Sequence, residues 1–112
     1  MSVKVTGSLP DFSKAAIEVQ VLAKAVVAKT AADIEAKAKE NVPVRTGNLK
    51  NSISHTVDGF TAEIGPTASY GSYVELGTSR MAPQPYLIPA AEEVQPLFEA
   101  ALEQVADKIL GD

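Results

Sequence analysis

The sequence predicts an α+β fold, in which a long N-terminal helix and an amphipathic C-terminal helix pack on a small, mostly antiparallel β-sheet. Three observations lead to this prediction. Apolar residues recur at helical spacing in two long segments. Between these segments, on either side of Asp58-Gly59, lie short runs in which apolar and polar residues alternate, and another such run lies at the start of the chain. With 112 residues, the chain is expected to form a single domain over residues 1–112.

The chain is predicted to begin with a short strand followed by a long helix. Ser2 to Thr6 alternates as a strand does, and Gly-Ser-Leu-Pro at 7–10 ends the alternation. The helix is predicted from Phe12 to Asn41, with Asp11 or Ser13 as its N-cap. One stripe of this helix is expected to face the core: Phe12, Ala16, Val19, Ala23, Val26, Val27, Thr30 and Ile34.

A second face of the same helix is also rich in small or apolar residues. Its members are Ile17, Val21, Ala25, Ala28 and Ala32. Two interpretations are open. A helix that is apolar on more than one side is often buried on more than one side, and another subunit could cover it. Alternatively, the alanines favour helix formation and face water.

The middle of the chain is predicted to hold a turn and a hairpin. Proline after Val42 ends the first helix. Residues 46–48, Thr-Gly-Asn, have the composition of a tight turn. Strands at 52–57 and 60–64 flank Asp58-Gly59, which is a strong two-residue hairpin signal. A third strand or a short helix is expected around Tyr73–Leu76.

The last predicted element is a helix from Pro89 to Leu110. Pro96 is expected to kink it or to mark where its regular part begins. Its core face is predicted to comprise Val94, Leu97, Phe98, Ala101, Leu102, Val105 and Ile109.

Charge and composition exclude several classes of function. Residues 1–89 carry nine basic and eight acidic side chains, whereas residues 90–112 carry six acidic residues against Lys108 alone. The acidic end indicates a solvated helix face or a contact with a basic partner. The sequence has no stripe of basic residues of the kind that binds nucleic acid. It also has no apolar run that approaches the length needed to span a bilayer. The chain has no cysteine, so disulfides and thiolate metal sites are excluded.

The residues offer little catalytic chemistry. His55 is the single histidine and is expected to be structural, because a base needs a nucleophile and an orienting group nearby. Neither a metal site nor a cofactor is predicted. Glu75 is a carboxylate among apolar neighbours, for which a salt bridge or a backbone-capping role is expected. Arg45 and Arg80 are its candidate partners, since arginine can grip a carboxylate bidentately.

The segment from Tyr70 to Ala90 combines tyrosines, glycines and prolines and is predicted to hold one shape. Glycine permits backbone conformations that other residues resist, and proline fixes φ. Loops held in one shape often carry function. Because the segment contains no catalytic constellation, it indicates a surface for contacting another protein.

Three ordered motifs carry a family resemblance. They are Val42-Pro-Val-Arg-Thr-Gly-Asn-Leu-Lys-Asn-Ser-Ile53, then Gly65-Pro followed by Tyr70-Gly-Ser-Tyr-Val-Glu-Leu-Gly-Thr78, and then Met81-Ala-Pro-Gln-Pro-Tyr-Leu-Ile-Pro-Ala90. In this order and spacing they resemble the tail-component family of long-tailed bacteriophages. Tyr86 stands where phenylalanine is commoner in that family. The resemblance covers about Ala31 to Ala101.

The resemblance implies a structural, non-enzymatic protein of the virion neck that joins or completes the tail as a homo-oligomeric ring. It implies contacts with the tail terminator, the tail tube or the head-side connector, without cofactor, membrane or sequence-specific nucleic acid. The protein would occupy the virion, and the host cytoplasm during assembly. Residues predicted to form the interface or to lock the loop are Arg45, Thr46, Gly47, Tyr70, Tyr73, Glu75, Gly77, Thr78, Arg80, Met81, Pro83, Pro85 and Tyr86.

Within this set, Arg45, Glu75 and Arg80 are hypothesised to lock the loop. The apolar contacts are assigned to Tyr70, Tyr73, Met81 and Tyr86, either at an interface or over the core. Two other classes of protein remain open. One is a small oligomeric binding module unrelated to phage, and the other is a small hydrolase that uses Glu75.

Overall fold

The computed structural model describes residues 1–7, 16–43 and 47–110 of the chain. Its elements in order are β1 (Val3–Thr6), α1 (Ile17–Asn41), α2 (Gly47–Ser52), β2 (Ile53–Asp58), β3 (Thr61–Pro66), α3 (Gly71–Leu76) and α4 (Leu87–Leu110). The predicted α+β architecture is confirmed, because α1 and α4 pack on a three-stranded antiparallel sheet.

The sheet presents one face to the helices and leaves the other exposed. Its strand order is β1-β3-β2, so β3 pairs with both neighbours. Val5 and Val57 flank Ala62 across the sheet, and Val3 and His55 flank Ile64. Ala62 and Ile64 are buried, whereas their neighbours on the opposite face of β3 are exposed polar residues. The predicted alternation of β3 is therefore confirmed.

The hairpin turn lies one residue later than the sequence predicted. Asp58 pairs with Thr61, so Gly59 and Phe60 form the two-residue loop. Gly59 has φ of 61°, a left-handed conformation that glycine adopts without penalty. Phe60 leaves the strand because its ring packs against the helices, where the Lys24 ammonium lies 5.3 Å from the ring centroid.

The helices α1 and α4 run antiparallel along each other. At one end the Asn41 side-chain amide donates to the Tyr86 carbonyl oxygen (3.2 Å). Toward the middle, Lys37 Nζ lies 3.2 Å from a Glu93 carboxylate oxygen. At the other end, Val105 packs with two α1 residues in a small cluster beside Phe60. The larger core lies under the sheet and includes the fully buried Leu49, Ile53, Ile64, Tyr86 and Leu87.

The second apolar face of α1 is exposed at its start. Ile17 is 78% exposed and Val21 is 59% exposed. Ala25 and Ala32 are also exposed, and Ala28 is half-buried. The predicted core stripe is buried at Val19, Ala23, Val27, Thr30 and Ile34. Ala16, which was expected in that stripe, precedes the helix and is exposed. Residues 11–13, which include the predicted caps and Phe12, lie outside the described residues.

The predicted turn at residues 46–48 is wrong for its described part. Gly47 and Asn48 begin the short helix α2. A helical turn at this position carries Leu49 into the core, where it is fully buried, and the Ser52 hydroxyl donates to the Leu49 carbonyl (2.8 Å). Arg45 and Thr46 lie outside the described residues.

The C-terminal helix begins earlier than predicted and continues through its proline. It starts at Leu87, and Pro96 lies inside it, so Pro96 does not mark the start of its regular part. Val94 and Val105 are buried as predicted, but Leu97 is 68% exposed because it lies at the border of the stripe. Phe98, Ala101 and Leu102 are half-buried, and the side chain of Ile109 lies outside the described residues.

His55 and Glu35 connect the sheet to α1. The His55 Nδ1–H donates to a Glu35 carboxylate oxygen (2.9 Å), and Lys39 Nζ donates to the other oxygen (3.1 Å). Partial burial pushes the pKa of Glu35 upward, but the hydrogen bonds from His55 and Lys39 outweigh it and hold this pKa below its usual value. The histidine therefore has a structural partner in the fold.

Replacing Glu35 by glutamine should lower the free energy of unfolding at pH 7 by about 1 kcal/mol. Because the folded-state pKa of Glu35 is depressed, its contribution is present above the ordinary pKa of 4.5 and disappears as the pH falls through the lower folded value. Urea unfolding of both proteins from pH 7 to pH 3 measures this difference. Glu18→Gln, an exposed change on the same helix, is the control, and a pH-independent difference for Glu35→Gln would contradict the assignment.

Candidate functional site

The carboxylate of Glu75 is buried at the junction between α3 and α4. The residue is only 3% exposed. One carboxylate oxygen, Oε1, accepts hydrogen bonds from the backbone N–H groups of Tyr86 (3.1 Å) and Leu87 (2.8 Å). The other, Oε2, accepts from the N–H of Ile88 (3.3 Å). Of the two roles expected for Glu75, a salt bridge or backbone capping, these contacts show backbone capping.

This arrangement accounts for every backbone donor at the start of α4. An α-helix leaves its first four N–H groups without a partner inside the helix. In α4 these belong to residues 86–89. Three of the N–H groups bind Glu75, and the fourth residue, Pro89, has none to offer. A negative charge at this position also interacts favourably with the positive end of the helix dipole.

Tyr86 reinforces the junction from the core side. Its side chain is fully buried, and its hydroxyl donates to the Gly71 carbonyl oxygen (3.0 Å) at the start of α3. Burial, with a further contribution from the charge of Glu75, raises the pKa of Tyr86 to about 12. A Cβ at Gly71 would lie only 2.8 Å from the Tyr86 hydroxyl, so this position requires glycine.

The short helix α3 has a buried face and an exposed apolar face. Gly71, Val74 and Glu75 are its buried residues. On the opposite face, Tyr73 is 59% exposed and Leu76 is 66% exposed, and Tyr70, the residue just before the helix, is 39% exposed. We call these three residues the α3 face. Ile88, whose amide binds Glu75, is also an exposed apolar residue.

The loop from residue 77 to residue 85 is held by backbone hydrogen bonds. Gly77 ends α3 with φ of 78°, and a Cβ there would lie 2.8 Å from the Pro83 nitrogen. Thr78 and Met81 exchange backbone hydrogen bonds of 2.8 and 3.3 Å. The Gln84 N–H then donates to the Val74 carbonyl oxygen (2.8 Å). The predicted single shape of this loop thus has a physical basis in these bonds.

The residues predicted for the site divide into buried and exposed sets. Tyr86 is buried and Met81 is half-buried against the core, whereas Tyr70 and Tyr73 are exposed. Thr78, Arg80, Pro83 and Pro85 are exposed and Gly77 is half-buried. Gly47, which was also predicted for the site, is the first residue of α2.

Arg80 does not pair with Glu75. Its side chain is exposed, and among the described residues the Glu75 carboxylate is bound by backbone amides rather than by a guanidinium. The backbone N–H of Arg80 instead donates to the Thr78 hydroxyl (3.2 Å). Arg45, the other candidate partner, lies outside the described residues. Three backbone amides at the start of α4 therefore take the place that was predicted for Arg80.

Sequence reasoning missed Leu76 and Ile88 as exposed apolar residues and Gly71 as a packing requirement. The spacing of Tyr70, Tyr73 and Leu76 could have identified the α3 face, but only if the segment had been assigned to a helix rather than to a strand. The contact between Glu75 and α4 joins residues more than ten positions apart, and no local pattern signals it.

The described part of the chain contains neither a metal-binding cluster nor a helix able to span a membrane. Within residues 1–7, 16–43 and 47–110, no group of three or more histidine or carboxylate side chains is placed to hold a metal ion. The helices of this part include none that is both long and apolar enough to cross a membrane.

Comparison with known families identifies the chain. A family model described as "Bacteriophage HK97-gp10, putative tail-component" matches residues 6–77, which is more than half of the chain. The chain belongs to this family. The match begins earlier and ends earlier than the resemblance seen in the motifs. It includes the α3 face and ends at Gly77, the first residue of the proline-rich loop, so it leaves out α4. No curated protein and no solved structure matches the chain significantly.

Membership of the family indicates the broad role of the protein. The family is described as a bacteriophage tail component, which indicates a structural rather than a catalytic protein. A tail component belongs in the virion and interacts with other virion proteins.

Replacing Glu75 should destabilise the domain strongly. Glu75→Ala leaves three backbone N–H groups without their acceptor and should cost about 3–5 kcal/mol of unfolding free energy. Glu75→Gln keeps the shape but loses the charge, and should cost about 1–2 kcal/mol. Leu76→Ala, an exposed change at the next residue, should cost less than about 0.5 kcal/mol. Urea unfolding measures all three, and equal stabilities of Glu75→Ala and Leu76→Ala would contradict the capping role.

Replacing Tyr86 by phenylalanine should change how stability depends on high pH. The folded-state pKa of Tyr86 is raised from 10.0 to about 12, so its contribution is complete below pH 10 and is lost as the pH rises toward 12. Tyr86→Phe should be about 1 kcal/mol less stable at pH 8, and this difference should shrink by pH 11. Tyr73→Phe, at an exposed position, is the control. An undiminished difference at pH 11 would argue against the buried hydroxyl.

Proposed function

We propose that this tail component acts in the neck of the phage particle. In this proposal, residues 1–112 act as one domain that joins or completes the tail at the head–tail interface. Copies of the protein form a closed ring around the tail axis, in contact with the tail terminator, the tail tube or the head-side connector. The family match, together with the motif pattern of the sequence, supports a position among tail proteins.

The observation that carries the proposal is the exposed apolar face of a rigid helix. Tyr73 and Leu76 are each more than half exposed, although α3 is fixed from beneath by Glu75 and Tyr86. Large apolar side chains exposed together on a soluble surface mark contact sites, and tyrosine is enriched at interfaces. A surface that does not move on binding loses little conformational entropy when a partner covers it.

A closed ring requires contacts between unlike surfaces of neighbouring copies. The chain offers unlike surfaces, because its acidic excess is confined to residues 90–112 while Lys50 and Arg80 are exposed elsewhere. The apolar start of α1 supplies a further exposed surface. These features support an assembly of several copies.

The alternative of a hydrolase that uses Glu75 is not favoured by the geometry. A general acid or base must reach the reacting group of its substrate. The Glu75 carboxylate is almost completely buried, and both of its oxygens bind backbone amides. If the carboxylate moved away to reach a substrate, the backbone N–H groups at the start of α4 would lose their acceptor. These contacts support a role in holding the structure.

Particles made without the protein should contain heads and tails that are not joined. Electron microscopy of lysates from a deletion mutant measures the fraction of joined particles, and wild-type protein supplied in trans should restore it. Normal numbers of joined particles in the deletion mutant would contradict a role in the neck.

Variants of the α3 face separate assembly from folding. Tyr73→Ser with Leu76→Ser should change the free energy of unfolding by less than about 1 kcal/mol, because both residues are exposed. When it is supplied in trans to the deletion mutant, the same double variant should restore few joined particles. Val57→Ser, at an exposed apolar position on β2, is the matched control and should restore them. Full restoration by the double variant would exclude the α3 face as the contact surface.

A further inference from the structure

A groove runs between the edge strand β1 and the helix α4. It consists of two adjoining cavities of about 240 and 430 Å³, and Thr6, Gln95 and Phe98 line both. We call it the β1–α4 groove. The larger cavity lies along the second half of α4, where Leu102 and Ala106 provide further apolar lining.

The rim of the larger cavity is acidic. Glu99 and Glu103 line it, and both are exposed. Glu99 accepts a hydrogen bond from the Gln95 side chain (3.0 Å). Among the described residues, neither carboxylate has a cation within 4 Å. The groove therefore combines an apolar lining with two negative charges that have no cationic partner in this part of the chain.

The α3 face has the complementary chemistry. Its exposed side chains are apolar, and Arg80 lies on the loop that leaves α3. Arg80 is exposed, and no carboxylate of the described residues lies within ion-pairing distance of it. Because Thr78 and Met81 close the loop by backbone hydrogen bonds, this charge is carried on a fixed support.

The two surfaces lie too far apart to meet within one chain. The α3 face adjoins the start of α4, whereas the larger cavity adjoins its second half. At about 1.5 Å per residue, Ile88 and Leu102 are separated by about 21 Å along the helix axis. A contact between these surfaces therefore requires two copies of the chain.

We propose that the α3 face of one copy docks in the β1–α4 groove of the next copy. Tyr73 and Leu76 meet the apolar lining, and Arg80 lies beside Glu99 and Glu103. Charge complementarity favours a second copy as the occupant. Beside the two apolar surfaces lie a positive group and two negative groups that have no ionic partner among residues 1–7, 16–43 and 47–110. The contact joins unlike surfaces, so its repetition closes a ring if the rotation between copies divides a full turn. This inference rests on the proposed ring.

Engineered disulfides test the contact directly. The chain has no cysteine, so each introduced cysteine is the only one present. Particles assembled from an equal mixture of Leu76→Cys and Leu102→Cys proteins should form disulfide-linked dimers on mild oxidation, because a disulfide requires Cβ atoms about 4 Å apart. A protein that carries both Leu76→Cys and Leu102→Cys should form a ladder of cross-linked oligomers, and the largest should contain the number of copies in the ring. Val57→Cys mixed with Leu102→Cys is the matched control and should give no dimers.

Charge reversal provides a second test that does not depend on cysteine chemistry. Arg80→Glu and Glu103→Arg should each reduce joined particles by about tenfold, because each brings like charges together. The two changes combined should restore most of the loss. Both positions are exposed, so the free energy of unfolding should change little. Arg80→Glu combined with Glu63→Arg, an exposed position on the open sheet face, is the control and should restore nothing.

The outcomes separate this inference from the proposed function. Dimers from Leu76→Cys alone would show a symmetric contact between like surfaces and would overturn it. Protein located in the neck without cross-linking would also overturn it, while the proposed function would stand. Cross-linking of protein found elsewhere along the tail would support the contact and exclude the neck. Cross-linking of either cysteine to a different virion protein would identify that protein, rather than a second copy, as the occupant.

Discussion

The fold depends on a buried carboxylate that binds the beginning of a helix. Glu75 accepts three hydrogen bonds from consecutive backbone amides, and these bonds determine where α4 starts. Burying a charge is costly unless hydrogen bonds replace its hydration, and here a helix end provides both the donors and a favourable dipole. The contact ties the short helix α3 to the long helix α4, which in turn packs along α1.

The same contact creates the exposed surface to which we assign function. An isolated six-residue helix has little stability in water. Glu75 and the hydroxyl of Tyr86 hold α3 from its buried side, so its other side can carry apolar residues without collapsing into the core. In this proposal, stability and contact are carried by opposite faces of the short helix α3. A substitution on the buried face is therefore expected to act on folding, whereas the proposed role of the exposed face predicts that a substitution there acts on assembly.

Much of the fold could be predicted because its signals are local. The two long helices, the hairpin and the inward-facing residues of β3 follow from periodicity, and the described structure agrees with them. Errors occurred where a packing contact overrode a local preference. Gly47 and Asn48 resemble a turn, but burial of Leu49 favours a helix. Phe60 resembles a strand residue, but its ring packs against the helices and shifts the turn by one position.

Four properties could be read from the amino-acid sequence: the fold class, the family motifs, the segregation of charge and the importance of Glu75. These properties depend on spacing and composition, which are present in the chain before it folds. Three other features become visible only in the folded chain: what Glu75 binds, which tyrosines face outward and where a groove opens beside α4. The physical reason is that each of these features joins residues distant in sequence. Their proximity arises from the packing of α1, α4 and the sheet, and no local pattern records it.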